Sequence, residues 1–365
     1  MTVDYEVDLA SRSSSGLGAV ILDDFLNTIG VPLRGGAQVK FTEVLNGYGS
    51  LEFTLPLDHA SVTRANFAVG NREVHVYRDG ILVWGGKLWA ANVQDWFVRF
   101  LCHDWYFDLT RREVEDDYAS LPASPKDQLD IVRELVDLTQ AESGGDLGLT
   151  HANLTDSGVT REIVICAEER RAVADVIEEL AETDDGFDFG VHPDKVLELW
   201  HPRRGSSTPV ATLDAATTVS DFEYEEDASE LSSQVAGIGE QEDCALPNVY
   251  VTTDAGALST YGLLQDHVVP EDDKDPLLVE AAANELLRVS RVSRLQPKVA
   301  LATDLPDALA YDAYELGDEV TLVASRGAVG GFGQFNQQFR VVSRSVEVAR
   351  PGHEKVTLGL DQVVT

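Results

Sequence analysis

Residues 71–114 read NREVHVYRDGILVWGGKLWAANVQDWFVRFLCHDWYFDLTRREV, and this stretch decides the fold. Asp79-Gly80 separates two runs of β-prone residues, which predicts a hairpin because glycine readily adopts the positive φ of such turns. In the strand that follows, alternate residues share one face: Trp96, Val98, Phe100 and Cys102. The stretch also holds four of the five tryptophans: Trp84, Trp89, Trp96 and Trp105. Since no nucleophile lies beside a base, we interpret the segment as a framework that shapes a surface.

The rest of the N-terminal third is also β in character. Residues 38–45 and 50–55 alternate apolar and polar side chains on either side of Asn46-Gly47-Tyr48-Gly49, which predicts a second hairpin. Pro56 ends the second strand, because proline cannot donate a hydrogen bond to a neighbouring strand. We therefore assign residues 1–115 to a β domain.

Residues 116–205 have the pattern of a small α/β unit. Ser124-Pro125 predicts a helix start, since serine caps helices and proline fits their first turn. A second amphipathic helix is predicted over about residues 167–183. Two strands follow, over residues 187–189 and 196–200, with a turn between them.

The last third returns to β structure after one helix. That helix starts after Pro276, and four residues form its apolar face: Leu278, Ala282, Leu286 and Val289. Three strands are predicted, over residues 319–323, 339–348 and 355–360. The glycine-rich residues 327–333 are interpreted as the tip of a long hairpin. The sequence thus predicts a mainly β protein with an α+β insert and a helix in the C-terminal half.

The chain is strongly acidic, with 63 aspartates and glutamates, 28 lysines and arginines, and a net charge of −35. Attachment to DNA phosphates needs clustered cations, so the composition argues against a protein that coats DNA. A passage through which DNA slides without adhering fits this charge, and so does simple solubility. The sequence contains no window of about eighteen apolar residues, so no membrane anchor is predicted. The N-terminus also lacks the pattern of a signal peptide.

Residues 205–273 contain no lysine or arginine, and residues 221–243 alone contain nine acids. Aromatic residues alternate with acids at the start of this region, which predicts a strand with one wet, negative face. We expect four acids on that face to line a lumen: Asp221, Glu223, Glu225 and Asp227. The alternative is that they lie on an outer surface and only aid solubility.

The sequence contains none of the common catalytic or nucleotide-binding motifs. Its eight histidines are scattered, and its three cysteines lack metal-ligand spacing, so we expect no enzyme, no cofactor and no metal. We interpret the cysteines as buried small residues in a reducing cytoplasm.

The order of elements resembles the tail-hub, or baseplate-hub, minor tail proteins of long-tailed bacteriophages, particularly those of actinobacterial siphophages. Seven short segments carry the resemblance over nearly the whole chain: NGYGSLEFTLP (46–56), VYRDG (76–80), WGG (84–86), LAETDDGFDF (180–189), TYG (260–262), AAANELL (281–287) and LGDEV (316–320). Residues 1–27 carry no landmark of that family.

The resemblance implies two β-barrels similar to tail-tube protein, with an α/β domain interrupting the first. Residues 1–115 and 206–250 would then form the first barrel, 116–205 the inserted domain, and 251–365 the second barrel. It further implies a homotrimeric ring in the virion that adapts a six-fold tail tube to a three-fold tip. The implied neighbours are the distal tail protein, the tape measure and tip or fibre proteins, and DNA passes through the ring during ejection.

Two other functions remain open. A receptor- or carbohydrate-binding tail-tip protein would use Trp84, Trp89 and Trp96 as exposed stacking platforms, whereas a core or interface role would bury them. A cell-wall-cleaving enzyme ranks third, because no catalytic constellation is visible.

Overall fold

A computed structural model of the chain describes the following residues: 5–11, 20–21, 39–58, 62–64, 66–120, 124–152, 154–239, 248–270, 276–301, 311–325, 334–350 and 353–363. Within them the protein is mainly β with several helices, and its largest element is a 13-stranded, mostly antiparallel sheet. No helix in the described ranges combines the length and apolarity needed to span a bilayer.

Seven strands make up the first strand set. They are β1 (Tyr5–Ser11), β2 (Val20–Ile21), β3 (Val39–Val44), β4 (Ser50–Pro56), β5 (Arg72–Arg78), β6 (Ile81–Val93) and β7 (Phe97–Asp104). They lie in the order β3-β4-β7-β6-β5-β1-β2. Both predicted hairpins are confirmed, and Asp79 and Gly80 adopt φ values of 50° and 78° in the turn between β5 and β6. These positive φ values explain why the turn requires an Asp-Gly pair.

The predicted apolar face of β7 is confirmed except at one end. Val98, Phe100 and Cys102 are buried, but Trp96 is 82% exposed. The alternation fails there because Trp96 precedes the first residue of β7 and belongs to the turn after β6.

The chain then leaves the sheet to form the insert, residues 105–200. Its elements are a 3₁₀ helix (Trp105–Arg111), β8 (Tyr118–Ser120), β9 (Lys126–Asp127), α1 (Gln128–Ala141), β10 (Thr150–His151), β11 (Thr160–Arg161), β12 (Ile163–Ile165), a 3₁₀ helix (Ala167–Glu169), α2 (Val173–Ala181), β13 (Asp188–Val191) and β14 (Val196–Trp200). The insert has its own apolar core, centred on α1 and α2. That core includes Trp105 and Tyr106, so it starts before the boundary at residue 116 that the sequence suggested.

Both helices of the insert start later than predicted. Helix α1 is capped by Asp127, whose side chain accepts a hydrogen bond from the Leu129 amide at 2.9 Å. Ser124-Pro125 is therefore not the cap, and Lys126 instead pairs with Arg161 in a short ladder. The predicted second helix divides at Arg170, which has a φ of 53° and ends the preceding 3₁₀ turn.

The remaining elements return to the sheet and add a second, smaller sheet. They are β15 (Ala211–Asp214), β16 (Val219–Asp227), β17 (Gln234–Ile238), β18 (Val249–Thr253), α3 (Ala255–Tyr261), β19 (Gln265–Val268), α4 (Pro276–Ser290), β20 (Arg294–Leu301), β21 (Glu319–Ser325), β22 (Gln334–Arg350) and β23 (His353–Gln362). The predicted helix at Pro276 and the three predicted strands are confirmed, whereas residues 327–333 lie outside the described residues.

The second strand set consists of β15, β16 and β20 to β23, in the order β15-β21-β22-β23-β20-β16. Its two end strands are consecutive in sequence and separated by only residues 215–218, so the set must curl to bring its ends together. We expected residues 206–250 to complete the first barrel, but β15 and β16 pair with β21 and β20 of the second set. No closed ring of hydrogen-bonded strands occurs among the described residues.

Strand β22 joins the two sets. Its residues 334–340 pair with β21 and its residues 343–348 pair with β3, while β23 occupies the opposite edge. A single apolar core follows, in which Phe41 and Phe53 of the first set share a cluster with Leu322 and Phe339 of the second.

Candidate functional site

The acidic strand β16 has the two faces that the sequence predicted. Phe222 and Tyr224 are half-buried against the core and stack at 6.4 Å between ring centroids. The four predicted acids all lie exposed on the opposite face: Asp221, Glu223, Glu225 and Asp227. The structure thus places the four predicted acids on one face of β16. Which side of an assembly this face takes is a matter for proposal.

Local hydrogen bonds act on one of these acids. The Asp227 carboxylate accepts a hydrogen bond from the Ser229 amide at 2.8 Å, and this bond lowers the pKa of Asp227. Among the described residues, no group of three or more histidines, cysteines, aspartates or glutamates is arranged to hold a metal ion.

The neighbouring strand β20 supplies cations that sequence reasoning missed. Glu223 lies opposite Lys298 in the ladder, and Asp227 lies opposite Arg294. Arg294 also forms an ion pair with Asp361 of β23 at 3.0 Å. These cations lie about 70 residues beyond the acids in sequence, so only the strand pairing places them beside β16. The surface is therefore acidic at one edge and mixed in charge next to it.

This surface continues across both strand sets. We call it the polar face: the outward side chains of β16, β20, β23, β22, β3, β4 and β7. One row of side chains across four neighbouring strands alternates between positive and negative charge: Lys355, Glu347, Lys40 and Glu52. Opposite charges directly across a ladder stabilise strand pairing, which explains this row locally. A parallel row carries small polar side chains: Thr357, Ser345, Thr42 and Ser50.

Strand β16 is also an edge strand, since β20 is its one ladder partner among the described residues. Charged side chains at sheet edges prevent pairing with other chains. Edge protection is therefore the competing explanation of the acids on β16.

Asp188 fixes the insert to the end of the polar face. Its carboxylate accepts a hydrogen bond from the Asn46 amide nitrogen at 2.9 Å and forms an ion pair with Arg340 of β22. The backbone amide of Arg204 donates to the same carboxylate. The backbone amide of Phe189, in the insert, also donates a hydrogen bond to Asn46 Oδ1 at 2.9 Å. Together these contacts hold the insert in one orientation beside β3, β4 and β22.

The tryptophans are mostly internal. Trp84 and Trp105 are buried, and Trp89 is half-buried against Phe107. Of the three proposed stacking platforms, Trp96 alone is an exposed residue. Cys102 is buried as expected, but Cys166 is exposed because it precedes a surface 3₁₀ turn. Cys244 lies outside the described residues.

Comparison with solved structures relates this fold to phage tail proteins. A tail protein from Neisseria meningitidis has a TM-score of 0.63 at 15% identity, over 98% of this chain and 97% of that chain. A 43 kDa tail protein of prophage MuSo2 from Shewanella oneidensis has a TM-score of 0.62 at 11% identity, over 98% of both chains. Prophage tail protein gp18 from Listeria monocytogenes has a TM-score of 0.61 at 12% identity, over 97% of this chain and 94% of that chain.

The chain therefore has the fold of phage tail proteins from end to end. No protein-family model and no curated protein matches its sequence.

Proposed function

We propose that this chain is a structural tail-tip hub of a phage virion. In this proposal it forms a trimeric ring that adapts a six-fold tail tube to a three-fold tip and conducts DNA during ejection. The observation that carries the proposal is the end-to-end likeness of fold to tail proteins, which covers 98% of this chain and 97% of the Neisseria meningitidis protein. The proposed role is non-enzymatic.

The arrangement of strands supports the proposed change of symmetry. Each chain contributes two strand sets to one sheet, and three chains would therefore present six sets around an axis. A closed ring is also the usual way for a repeated head-to-tail interface to avoid an open filament. Each strand set would take the place of one tube-like barrel.

The polar face supports the proposed passage for DNA. It carries exposed acids on β16, ion pairs and small hydroxyl side chains. Lys298, Arg294, Lys355 and Lys40 lie opposite acids in the ladders, and Arg99 forms an ion pair with Glu52. A wall of this kind offers DNA no cluster of unpaired cations to bind. In the proposal the polar face lines the lumen, the insert lies outside the ring, and the proposed neighbours are the distal tail protein, the tape measure and tip or fibre proteins.

Trp96 favours a second candidate function, a receptor- or carbohydrate-binding tail tip. Its ring is 82% exposed at a hairpin tip, which suits stacking on a sugar. Glycan-array binding that is lost in Trp96→Ala would support this role over the hub.

The hub proposal is tested by counting copies. The chain is purified alone and with its neighbouring tail protein, its mass in solution is measured, and the assembled tail tip is reconstructed by electron microscopy. Three copies around the tail axis are expected. One copy or six copies at the axis would contradict the proposal.

A further inference from the structure

A groove of about 960 Å³ separates the insert from helix α4. Helix α2 forms one wall and α4 forms the other. The rest of the lining comes from β22, from β23 and the residue after it, from β20 and the residues before it, and from residues 202–203 and 268–270. The two walls differ in chemistry, and this difference defines what the groove can hold.

The α4 wall is mainly apolar. Its apolar lining residues are spaced four, four and three positions apart, so they share one side of the helix: Leu278, Ala282, Leu286 and Val289. Glu285 and Arg288 also line this wall and form an ion pair with each other. The sequence predicted this stripe as a core face, yet α4 packs on the small sheet through a different side, which carries Val279, Ala283 and Leu287. Helix α4 thus has a second apolar side. Ala282, Leu286 and Val289 on this side are partly or fully exposed to the groove, whereas Leu278 is buried.

The α2 wall is acidic. Asp175, Glu178 and Glu182 are spaced three and four positions apart and line the groove together. Within the described part of the chain, none of the three has a cation partner. Glu178 accepts a hydrogen bond from the Tyr106 hydroxyl at 3.3 Å. Burial raises the pKa of Glu178, and the charges of Asp175 and Glu182 raise it further against the effect of that bond.

The five arginines that line the groove form ion pairs with other carboxylates. The pairs are Arg171–Glu179, Arg203–Glu319, Arg288–Glu285, Arg294–Asp361 and Arg340–Asp188. The groove therefore combines a mainly apolar wall with a wall on which three carboxylates have no ion-pair partner among the described residues.

We propose that this groove binds a basic amphipathic helix of a partner protein. The apolar side of that helix packs on α4, and its lysines or arginines pair with the carboxylates of α2. A helix about 10 Å across rises about 1.5 Å per residue, so the groove volume accommodates about two turns. With 28 cations against 63 acids, a second copy of this chain is a poor source of such a helix, which points to a different, basic protein.

The test uses a fluorescent synthetic peptide of about five helical turns, built of leucine and lysine with the lysines on one side. Its binding to the full chain is measured by fluorescence anisotropy. The triple variant Asp175→Asn, Glu178→Gln, Glu182→Gln is expected to weaken binding by about tenfold or more. Val289→Arg should weaken it as well, because it places a cation and a bulky side chain in the groove, and Val289 is exposed enough to tolerate the change.

Two matched controls separate the groove from general attraction to an acidic surface. The first control is the triple variant Asp116→Asn, Glu142→Gln, Asp156→Asn, which removes three exposed acids of the insert outside the groove. The second control is Leu277→Arg, which changes an exposed residue of α4 that does not line the groove. Both controls should bind the peptide like wild type. Three outcomes would overturn the proposal: no binding by wild type, equal weakening in a groove variant and its control, or a groove variant that changes the oligomeric mass. The last would identify a second copy as the occupant.

Discussion

Replacing Glu43 with glutamine should destabilise the chain by about 3–5 kcal/mol, because it leaves a buried arginine without its carboxylate. Glu43 of β3 lies opposite Arg344 of β22, at the junction of the two strand sets. Arg344 Nε donates to Glu43 Oε2 at 2.7 Å, and Arg344 Nη2 donates to Oε1 at 3.0 Å. The two side chains are only 12% and 23% exposed.

The magnitude follows from what remains around Arg344. Burial acts to lower the pKa of Arg344, and the Glu43 carboxylate raises it. The variant loses the Glu43 contribution, but an arginine keeps its charge in a protein, so the guanidinium stays charged without its counter-ion. Glutamine supplies one acceptor in place of two and no negative charge. The Tyr311 ring lies 4.1 Å from the guanidinium in the wild type as well, so this contact does not replace the lost carboxylate. The double variant Glu43→Leu, Arg344→Met removes both charges and should lie close to wild type.

The assay is guanidinium unfolding followed by circular dichroism for the wild type, the single variants Glu43→Gln and Arg344→Met, and the double variant. Glu52→Gln serves as the control, because Glu52 pairs with Arg99 at 3.4 Å and both side chains are nearly half exposed. A surface pair of this kind contributes about 0–1 kcal/mol. The reasoning is refuted if Glu43→Gln costs no more than Glu52→Gln, or if the double variant is as unstable as the single variants.

Three further predictions concern the polar face, the insert and pH. The double variant Glu223→Lys, Glu225→Lys should leave assembly intact but slow DNA release from assembled particles. The control variant Asp116→Lys, Glu142→Lys should release DNA at the wild-type rate. Unchanged release kinetics in the first variant would exclude the lumen role. Val176→Asp should unfold the insert, because it buries an unpaired charge, while Leu154→Asp, at a residue 74% exposed, should not. Limited proteolysis within the insert, residues 105–200, distinguishes the two variants. Burial raises the pKa of Asp104 from 3.8 to about 7 against the effect of its backbone hydrogen bonds. The folded state therefore keeps a proton that the unfolded state has lost, and the free energy of unfolding should fall, by on the order of 4 kcal/mol, as the pH rises from about 4 to 7. Thermal melting across this range should show a flatter profile for Asp104→Asn, and an unaltered profile would exclude Asp104 as the source.

Short-range chemistry made the hairpins and most strands predictable. Asp79-Gly80 specifies a turn through its own backbone preferences, and the alternation in β16 reports its two faces directly. The start of α1 was not predictable in the same way. Ser124-Pro125 has good capping chemistry, but the pairing of Lys126 with Arg161 and the cap at Asp127 compete with it and prevail.

Long-range pairing explains the other differences. Nothing near β16 in sequence indicates that its neighbour is β20, so the cations opposite its acids could not be foreseen. The apolar stripe of α4 is another case, because its periodicity shows an apolar side without showing whether that side is covered. Only the position of α2 across the groove reveals that it is open.

The single long strand β22 has a mechanical consequence. Both strand sets hydrogen-bond to the same backbone over its 17 residues, so force applied to one set passes to the other through many bonds loaded together. The two sets cannot swivel against each other without breaking this ladder. Any widening or twisting of an assembly built from this chain must therefore occur at the boundaries between copies, with each copy moving as one stiff segment.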